Sequence, residues 1–234
     1  MFRHLISQVA ARVPSECLVC HAWPSQPVCE ACVTRFAQPR HRCRRCALPV
    51  AEGISQCGAC LKDPPPVDAC LAALSYAYPW SDCISGFKFH ARTGWVATFA
   101  TLMRSAPWVE PALEQSDCVL PMPLAPARLR QRGFNQALLL ARQLAPDKTR
   151  ADLLLRIRET SAQSELKRAE RLRNVMGAFA AEPALVASLA GARVVLVDDV
   201  MTSGASLYAA ASALRQAGAA HITALVLART DAPE

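Results

Sequence analysis

Several common features are missing from this 234-residue sequence, and each absence narrows the possibilities. No apolar run approaches the roughly 18 residues that a membrane-spanning helix needs. Residues 1–13 combine basic residues with an apolar side, but they contain neither a continuous apolar segment nor a small-residue cleavage site. We therefore expect a short N-terminal helix over residues 1–16, no transmembrane segment and a cytoplasmic protein.

Two nucleotide-binding signatures are also absent, and aromatic residues are scarce. There is neither a Gly-x-Gly-x-x-Gly string nor a Gly-Lys-Ser/Thr string, so a Rossmann or P-loop site is not expected. Aromatic residues make up 6% of the chain, which leaves few side chains on which the bases of single-stranded DNA could stack.

Cysteine, in contrast, is abundant, and its spacing indicates metal binding. Eight of the 11 cysteines form four Cys-x-x-Cys pairs within the first 60 residues. In a reducing compartment such pairs bind metal more often than they form disulfides, and two pairs complete a tetrahedral Cys₄ zinc site. Redox pairs or four disulfides are the alternative. The expected ligands are Cys17, Cys20, Cys29, Cys32, Cys43, Cys46, Cys57 and Cys60.

Eight ligands predict two structural zinc ions. The spacing favours sequential use, with the first four cysteines on one ion and the next four on the other, and leaves an interleaved arrangement open. The stretch Lys62–Pro66 (KDPPP) cannot continue a helix or a strand. We therefore predict a double zinc ribbon over residues 17–66 and a second domain over 67–234.

The second domain has the pattern of a parallel α/β sheet. Residues 71–78 and 117–122 are predicted strands, and residues 94–104 and 134–144 are predicted helices. The clearest unit lies at the end of the chain, where a β-branched strand at 193–197 precedes a helix at about 206–217 and a strand at 221–228. A strand, a helix and a strand in this order are typical of parallel sheets.

The strongest chemical signal is the string from Val194 to Ser206 (VVLVDDVMTSGAS). Four apolar residues lead to Asp198 and Asp199 at the carboxyl end of a strand, where open α/β sheets bind ligands. The hydroxyl-rich turn that follows enters a helix, whose free N–H groups suit a dianionic phosphate. The carboxylates suit the hydroxyls of a sugar, so one ligand, a ribose 5-phosphate, satisfies both halves.

This string resembles the motif with which type I phosphoribosyltransferases bind 5-phosphoribosyl-1-pyrophosphate (PRPP). A capped strand with an ordinary turn is the plainer alternative. The resemblance implies that PRPP contacts a continuous set of residues, namely Asp198, Asp199, Val200, Met201, Thr202, Ser203, Gly204, Ala205 and Ser206.

Three further segments extend the resemblance to one branch of that superfamily. They are Phe87–His90, the run from Pro121 to Gln136 with its Arg-Gly-Phe-Asn-Gln string, and the run from Thr160 to Asn174. Together with the cysteine pairs, they resemble the ComF family over about residues 17–230. Relatives often carry Thr-Thr-Gly-x-Thr where this chain has Thr-Ser-Gly-Ala-Ser, which keeps the hydroxyls.

The resemblance implies a type I phosphoribosyltransferase domain that binds PRPP with Mg²⁺. Arg128, Arg130, Arg132 and Gly133 follow a strand end and could meet the pyrophosphate, although they could also lie on a solvated helix. Lys88 either reaches phosphate or extends along the surface. The polar stretch 158–176 suits a loop that closes over PRPP, to which Gln163 and Arg171 would contribute; a plain surface linker is the alternative.

The sequence leaves two classes of function open, an enzyme and a binding or regulatory module. Residues 122–178 carry an excess of basic residues as large as the net charge of the whole chain, +7, which attracts phosphates of any kind. One hypothesis is a phosphoribosyltransferase that displaces pyrophosphate from C1, with an unidentified acceptor and no assignable catalytic residue. Another is a PRPP-responsive module without turnover, which binds single-stranded DNA or regulates. The family resemblance links either to natural competence, DNA uptake and proteins of the competence machinery.

Overall fold

The computed structural model describes residues 15–23, 25–90, 92–158 and 175–231. Contacts divide the chain into two units, with the division after Gln38. The second cysteine group therefore belongs to the larger unit. The limits 17–66 and 67–234 stay predictions about modules, and the predicted N-terminal helix lies outside the described residues except for its last two positions.

The smaller unit contains the first cysteine group. Ser15 and Ser25 form an isolated antiparallel bridge, and helix α1 (Glu30–Phe36) follows directly after Cys29. The larger unit begins with the same arrangement, in which Arg42 bridges Pro49 and helix α2 (Gly58–Lys62) follows directly after Cys57.

A four-stranded parallel sheet forms the centre of the larger unit. Its strands are β1 (Ala69–Ser75), β2 (Cys118–Pro121), β5 (Arg193–Met201) and β6 (His221–Arg229), in the order β1-β6-β5-β2. Most residues of β5 and β6 are buried, as expected for apolar strands covered on both faces. The α/β class with a parallel sheet is thus confirmed.

Strand β5 is longer than the sequence pattern predicts. The predicted strand ends at Val197, whereas the parallel pairing with β6 continues to Met201 opposite Arg229. Asp198 and Asp199 therefore lie within the strand, and Asp198 pairs with Val226 in the ladder. The prediction stopped early because two adjacent carboxylates are unfavourable inside a strand unless their environment compensates for them.

Helices flank this sheet, and the three that the sequence pattern predicts, at 94–104, 134–144 and about 206–217, lie close to their predicted positions. The flanking helices are α3 (Trp80–Phe89), α4 (Trp95–Arg104), α5 (Val109–Glu114), α6 (Pro126–Arg132), α7 (Gln136–Leu144) and α8 (Ala205–Gln216). Short 3-10 turns cover Pro146–Lys148 and Pro183–Leu189. Helix α7 packs against β2, β5 and α4, and α8 packs against β5.

Two shorter strands form a separate antiparallel hairpin. Strand β3 (Leu154–Arg156) pairs with β4 (Phe179–Ala181), and the stretch 158–176 that was predicted as a closing loop connects them. Of that stretch, residues 159–174 lie outside the described part of the chain. Across the residues that are described, no helix combines the length and the apolarity that a membrane span requires.

Candidate functional site

The turn after β5 has a backbone shape that requires glycine. Gly204 has φ +81°, in the left-handed region, and precedes the first turn of α8. A Cβ atom there would lie 2.5 Å from Met201 Cε and 2.6 Å from Tyr208 Cζ. Any side chain at this position would therefore strain the backbone and displace the side chains of Met201 and Tyr208.

The same turn directs hydrogen-bond donors into a small pocket. Residues Met201–Leu207 line a cavity of about 40 Å³ together with Asp198 and Val200. The first backbone N–H groups of the 12-residue helix α8 lie at this pocket, among the hydroxyls of Thr202, Ser203 and Ser206. Such a pocket can bind a dianionic phosphate through neutral donors and the helix dipole.

Two carboxylates and a lysine lie immediately before the turn. Asp199 is buried, and its Oδ1 lies 2.9 Å from Lys88 Nζ, with 17% of the lysine side chain exposed. Asp198 Oδ1 accepts a hydrogen bond of 2.8 Å from the Asp199 N–H. Burial and the charge of Asp199 together raise the pKa of Asp198 to about 7. The site therefore contains one lysine-paired carboxylate and a second that titrates near neutral pH.

A second cavity, of about 150 Å³, adjoins this carboxylate pair. It brings together groups from four separated segments. Val200 and Ser206 line both this cavity and the smaller one at residues 202–206, which we call the phosphate turn because of the ligand it could hold. Its charged lining residues are Lys88, Arg128, Arg132, Arg156, Asp198 and Asp199. Four cations around two carboxylates leave a positive excess, which suits a ligand with more anionic charge than one phosphate.

Of the residues that the sequence assigns to the pyrophosphate, some line the second cavity and others do not. Lys88, Arg128 and Arg132 line the cavity, because positions 128 and 132 share one face of α6. Arg130 points elsewhere and is exposed. Gly133 has φ +77° and ends α6 without lining the cavity, so its observed part is to stop the helix. Gln163 and Arg171 lie outside the described residues.

The Arg-Gly-Phe-Asn-Gln string positions this face of the site. Asn135 accepts a hydrogen bond from the Leu138 N–H at the start of α7 and donates to the Met122 carbonyl after β2. Gln136, only 1% exposed, donates to the Lys88 carbonyl and accepts from the Arg132 guanidinium. The two segments that contribute lysine and arginine to the cavity are thus tied together through one buried amide.

Arg132 is held where an anion would meet it. Its guanidinium lies 5.0 Å from the centre of the Phe89 ring, and burial lowers its pKa from the ordinary value. A partly desolvated cation of this kind gains more from an incoming anion than a fully hydrated one does.

One important residue, Arg229, carries no signal in the sequence. It is the last residue of β6, is 5% exposed, and donates through Nε to the Cys46 carbonyl at 2.9 Å. Its Nη1 donates to the carbonyls of Met201, at 3.1 Å, and Thr202. Arg229 therefore joins the second cysteine group to the first residues of the phosphate turn.

The eight predicted metal ligands form two compact groups in the sequential arrangement that the spacing favours. Within each group the four sulfur atoms lie within 4.8 Å of one another. One group contains Cys17, Cys20, Cys29 and Cys32, and the other contains Cys43, Cys46, Cys57 and Cys60. Four thiolates at such distances fit the tetrahedral coordination of zinc.

The two groups repeat the same local geometry. The Cys29 N–H donates to Cys17 Sγ at 3.3 Å, and the Cys57 N–H donates to Cys43 Sγ at the same distance. The residue that follows each first pair, His21 or Ala47, has a positive φ. Both second pairs begin a helix, so each group is one copy of a common cysteine-turn unit.

Comparison with known proteins agrees with the fold. Residues 129–234, which contain the turn at 202–206 and two of the four cations that line the second cavity, match the family described as Phosphoribosyl transferase domain. The larger unit thus contains a domain of the phosphoribosyltransferase class.

Three curated relatives cover most of the chain. "DNA utilization protein YhgH" of Salmonella typhimurium is 31% identical over 227 residues, 93% of this chain and 98% of the relative. "Competence protein F" of Haemophilus influenzae is 32% identical over 204 residues, 80% and 84% of the two chains. "Competence protein ComFC" of Bacillus subtilis is 27% identical over 215 residues, 88% and 86%. This chain belongs to the ComF family, which confirms the resemblance seen in the sequence.

Proposed function

We propose that this protein binds PRPP with Mg²⁺ in the cleft between β5, α6 and α8. The observation that carries the proposal is the continuous path from the turn at 202–206, past the two carboxylates, to the second cavity with its four cations. PRPP has the same three parts in the same order, a 5-phosphate, a ribose diol and a pyrophosphate.

Each part of the ligand has its own set of residues in this proposal. The turn from Thr202 to Ser206, with Val200 and Met201 before it, holds the 5-phosphate. Asp198 and Asp199 accept hydrogen bonds from the ribose hydroxyls. Lys88, Arg128 and Arg132 hold the pyrophosphate, with Gln163 and Arg171 contributed from the 158–176 loop. Bidentate arginine contacts fix such a group in position as well as stabilise it.

The metal requirement follows from the chemistry of the donors and the ligand. Carboxylate oxygens at 198 and 199 are the hard ligands that Mg²⁺ prefers, and the pyrophosphate supplies further oxygens. When bound, Mg²⁺ would neutralise pyrophosphate charge and favour its departure from C1. The residues of this chain orient the ribose through the two carboxylates and stabilise the leaving charge through the three cations.

The affinity for PRPP is expected to depend on pH through Asp198. The pKa of Asp198 is raised to about 7 in the unliganded protein, so its side chain is mostly neutral below that pH. A neutral carboxyl group accepts a weaker hydrogen bond from a sugar hydroxyl than a carboxylate does. The affinity should therefore rise with pH through about 7 and level off above it. Calorimetry from pH 5.5 to 8.5, a range of roughly three units about this value, measures the profile. Asp198→Asn should retain only the part that comes from titration of the ligand, and identical profiles would contradict the assignment.

We also propose that each cysteine group holds one structural zinc ion. Four protein thiolates leave no open position for chemistry, and a small unit such as residues 15–38 has little apolar core without metal. Protein purified without added metal should contain about two zinc equivalents by elemental analysis. Fully oxidised cysteines without metal would contradict both the zinc assignment and the cytoplasmic location that we propose.

The relatives connect this chemistry with DNA. They are named for DNA utilization and competence, so we propose that the present protein acts in DNA uptake with the competence machinery. Its PRPP site either transfers a phosphoribosyl group or serves as a sensor without turnover. Pyrophosphate release from PRPP by the pure protein, with and without single-stranded DNA, distinguishes the two.

A further inference from the structure

A basic groove with an exposed indole lies along β1, the edge strand of the sheet at the other end from β2. It occupies about 400 Å³, within the range of ligand-binding clefts. Its lining includes Arg40, His41, Arg42 and Arg44, the indole of Trp108, and residues of β1. None of these residues lines the proposed PRPP site. We call it the Arg44–Trp108 groove.

Two of the arginines meet at one hydroxyl, because Arg40 and Arg42 both donate to Ser75 Oγ. Cys43, the next residue, is fully buried, and Arg44 begins the turn that follows. Arg42 is fixed by the Ala47 carbonyl and by Ser75 Oγ, at 3.0 Å each, and Arg40 also donates to Ser75 Oγ at 3.1 Å. Two guanidinium groups are therefore positioned side by side before any ligand arrives.

The positive charge of the groove has little internal compensation. Among the described residues, the one acid paired with these arginines is Asp231, 3.9 Å from Arg40. Burial and then the charge of Arg40 lower the pKa of Arg42. The Arg44 side chain is exposed and has no hydrogen bond or ion pair within the described chain. These groups gain from an anion that bridges them.

Trp108 gives the groove its second chemical character. Its side chain is 74% exposed, and its backbone has φ 69°, which a bulky residue rarely adopts. The indole thus lies in solvent beside three cations, with no ring contact to another described aromatic residue. A ligand that has both anionic groups and flat apolar faces matches both parts of this lining.

We propose that the Arg44–Trp108 groove binds single-stranded nucleic acid, with phosphates on the arginines and a base stacked on Trp108. Single strands expose base faces, whereas bases in a duplex already stack on one another. The choice of DNA over RNA rests on the role in DNA uptake proposed above. The groove itself rests on the geometry of residues 40–44 and 108.

Fluorescence anisotropy with a labelled oligothymidylate tests this proposal on the full-length zinc-loaded protein over a range of salt. Three phosphate contacts predict a log–log salt slope of about −2, and Arg44→Ala should reduce its size by about 0.7. Trp108→Ala should weaken binding about 10-fold, the effect of losing one stacked base, and Trp108→Phe should restore part of that loss. Duplex of the same length should bind more weakly, and an oligouridylate shows whether the sugar matters.

Two matched controls make the result specific. Arg142→Ala removes an exposed arginine of α7 that lines neither the groove nor the PRPP site, and Trp23→Ala removes an exposed indole of the smaller unit. Both should leave affinity and salt slope unchanged. If Arg44→Ala and Trp108→Ala behave like these controls, the groove is not the site, and a loss confined to Trp23→Ala would place DNA on the smaller unit instead. Unchanged PRPP calorimetry in the groove variants keeps this outcome separate from the proposed PRPP function.

Discussion

Replacing both Asp198 and Asp199 with asparagine is expected to reduce the affinity for Mg²⁺–PRPP by at least about 100-fold. Each carboxylate is proposed to accept a charge-assisted hydrogen bond from the ribose, and each such bond contributes about 1.5–3 kcal/mol. Two of them correspond to about 3 kcal/mol or more. The loss should be measured by titration calorimetry at pH 8, roughly one unit above the pKa of Asp198, where its carboxylate is charged in the wild type.

The control for this double variant is a carboxylate of another ion pair. Asp152 pairs with Arg150 on the surface at 2.8 Å and lines neither cavity of the proposed site, so Asp152→Asn removes a comparable charge without touching that site. It should leave PRPP affinity unchanged. Asparagine keeps the shape of aspartate, and zinc content and the thermal midpoint show whether the fold survives. Wild-type affinity in a folded double variant would show that the carboxylates do not hold the ribose.

The second large expected effect separates the two cysteine groups. Cys46→Ser should remove one zinc ion and weaken PRPP binding by about 10-fold or more, whereas Cys20→Ser should remove one zinc ion and leave PRPP binding intact. The reason is Arg229, which bonds the Cys46 carbonyl and the Met201 and Thr202 carbonyls at the start of the phosphate turn. The first group belongs to the smaller unit, and we expect its loss to leave the turn unchanged. Zinc analysis and calorimetry on the same samples measure both effects.

A second variant guards against unfolding by the cysteine change. Arg229→Lys keeps the charge but cannot span the three carbonyls with a planar group, so the turn should lose its fixed position while both zinc ions stay bound. PRPP affinity should fall with two zinc equivalents retained. Equal PRPP affinity in Cys46→Ser, Cys20→Ser and Arg229→Lys would mean that the metal group and the turn are independent.

The features that were predictable from the sequence are those whose residues are contiguous. The phosphate turn follows its strand without interruption, and the glycine at position 204 predicts a left-handed backbone conformation that other residues rarely adopt. The four cysteine pairs likewise fix their own ligand geometry within short turns. In both cases the functional groups lie within a few neighbouring positions, so the site can be recognised without knowledge of long-range contacts.

Features that depend on distant contacts were missed or left open. Whether Lys88 reaches the site was undecided, because its partner Asp199 lies 111 positions later in the numbering. Arg229 looks like an ordinary strand end until β6 brings it beside Cys46 and Thr202. Trp108 was overlooked because its importance comes from the arginines of the groove. Arg156 joins the cationic cavity through a hairpin that the sequence pattern did not predict.

The adjacent Arg132 and Gly133 show how one motif divides between two roles. Arg132 lines the cavity, while Gly133 ends α6 through its positive φ. The sequence assigns both to the pyrophosphate because both follow the end of the same predicted strand. Side-chain direction and backbone conformation separate them, and neither can be read from adjacency.

Calorimetry of the wild-type protein tests most directly whether the phosphate turn, the two carboxylates and the cations of the second cavity together form a PRPP site. PRPP should bind with a stoichiometry of about one per chain in the presence of Mg²⁺ and much more weakly without it. Ribose 5-phosphate, which lacks the pyrophosphate, should bind at least about 10-fold more weakly, because Lys88, Arg128 and Arg132 then have no anion to contact. Equal affinities for the two ligands, or no binding of PRPP with Mg²⁺, would contradict the account.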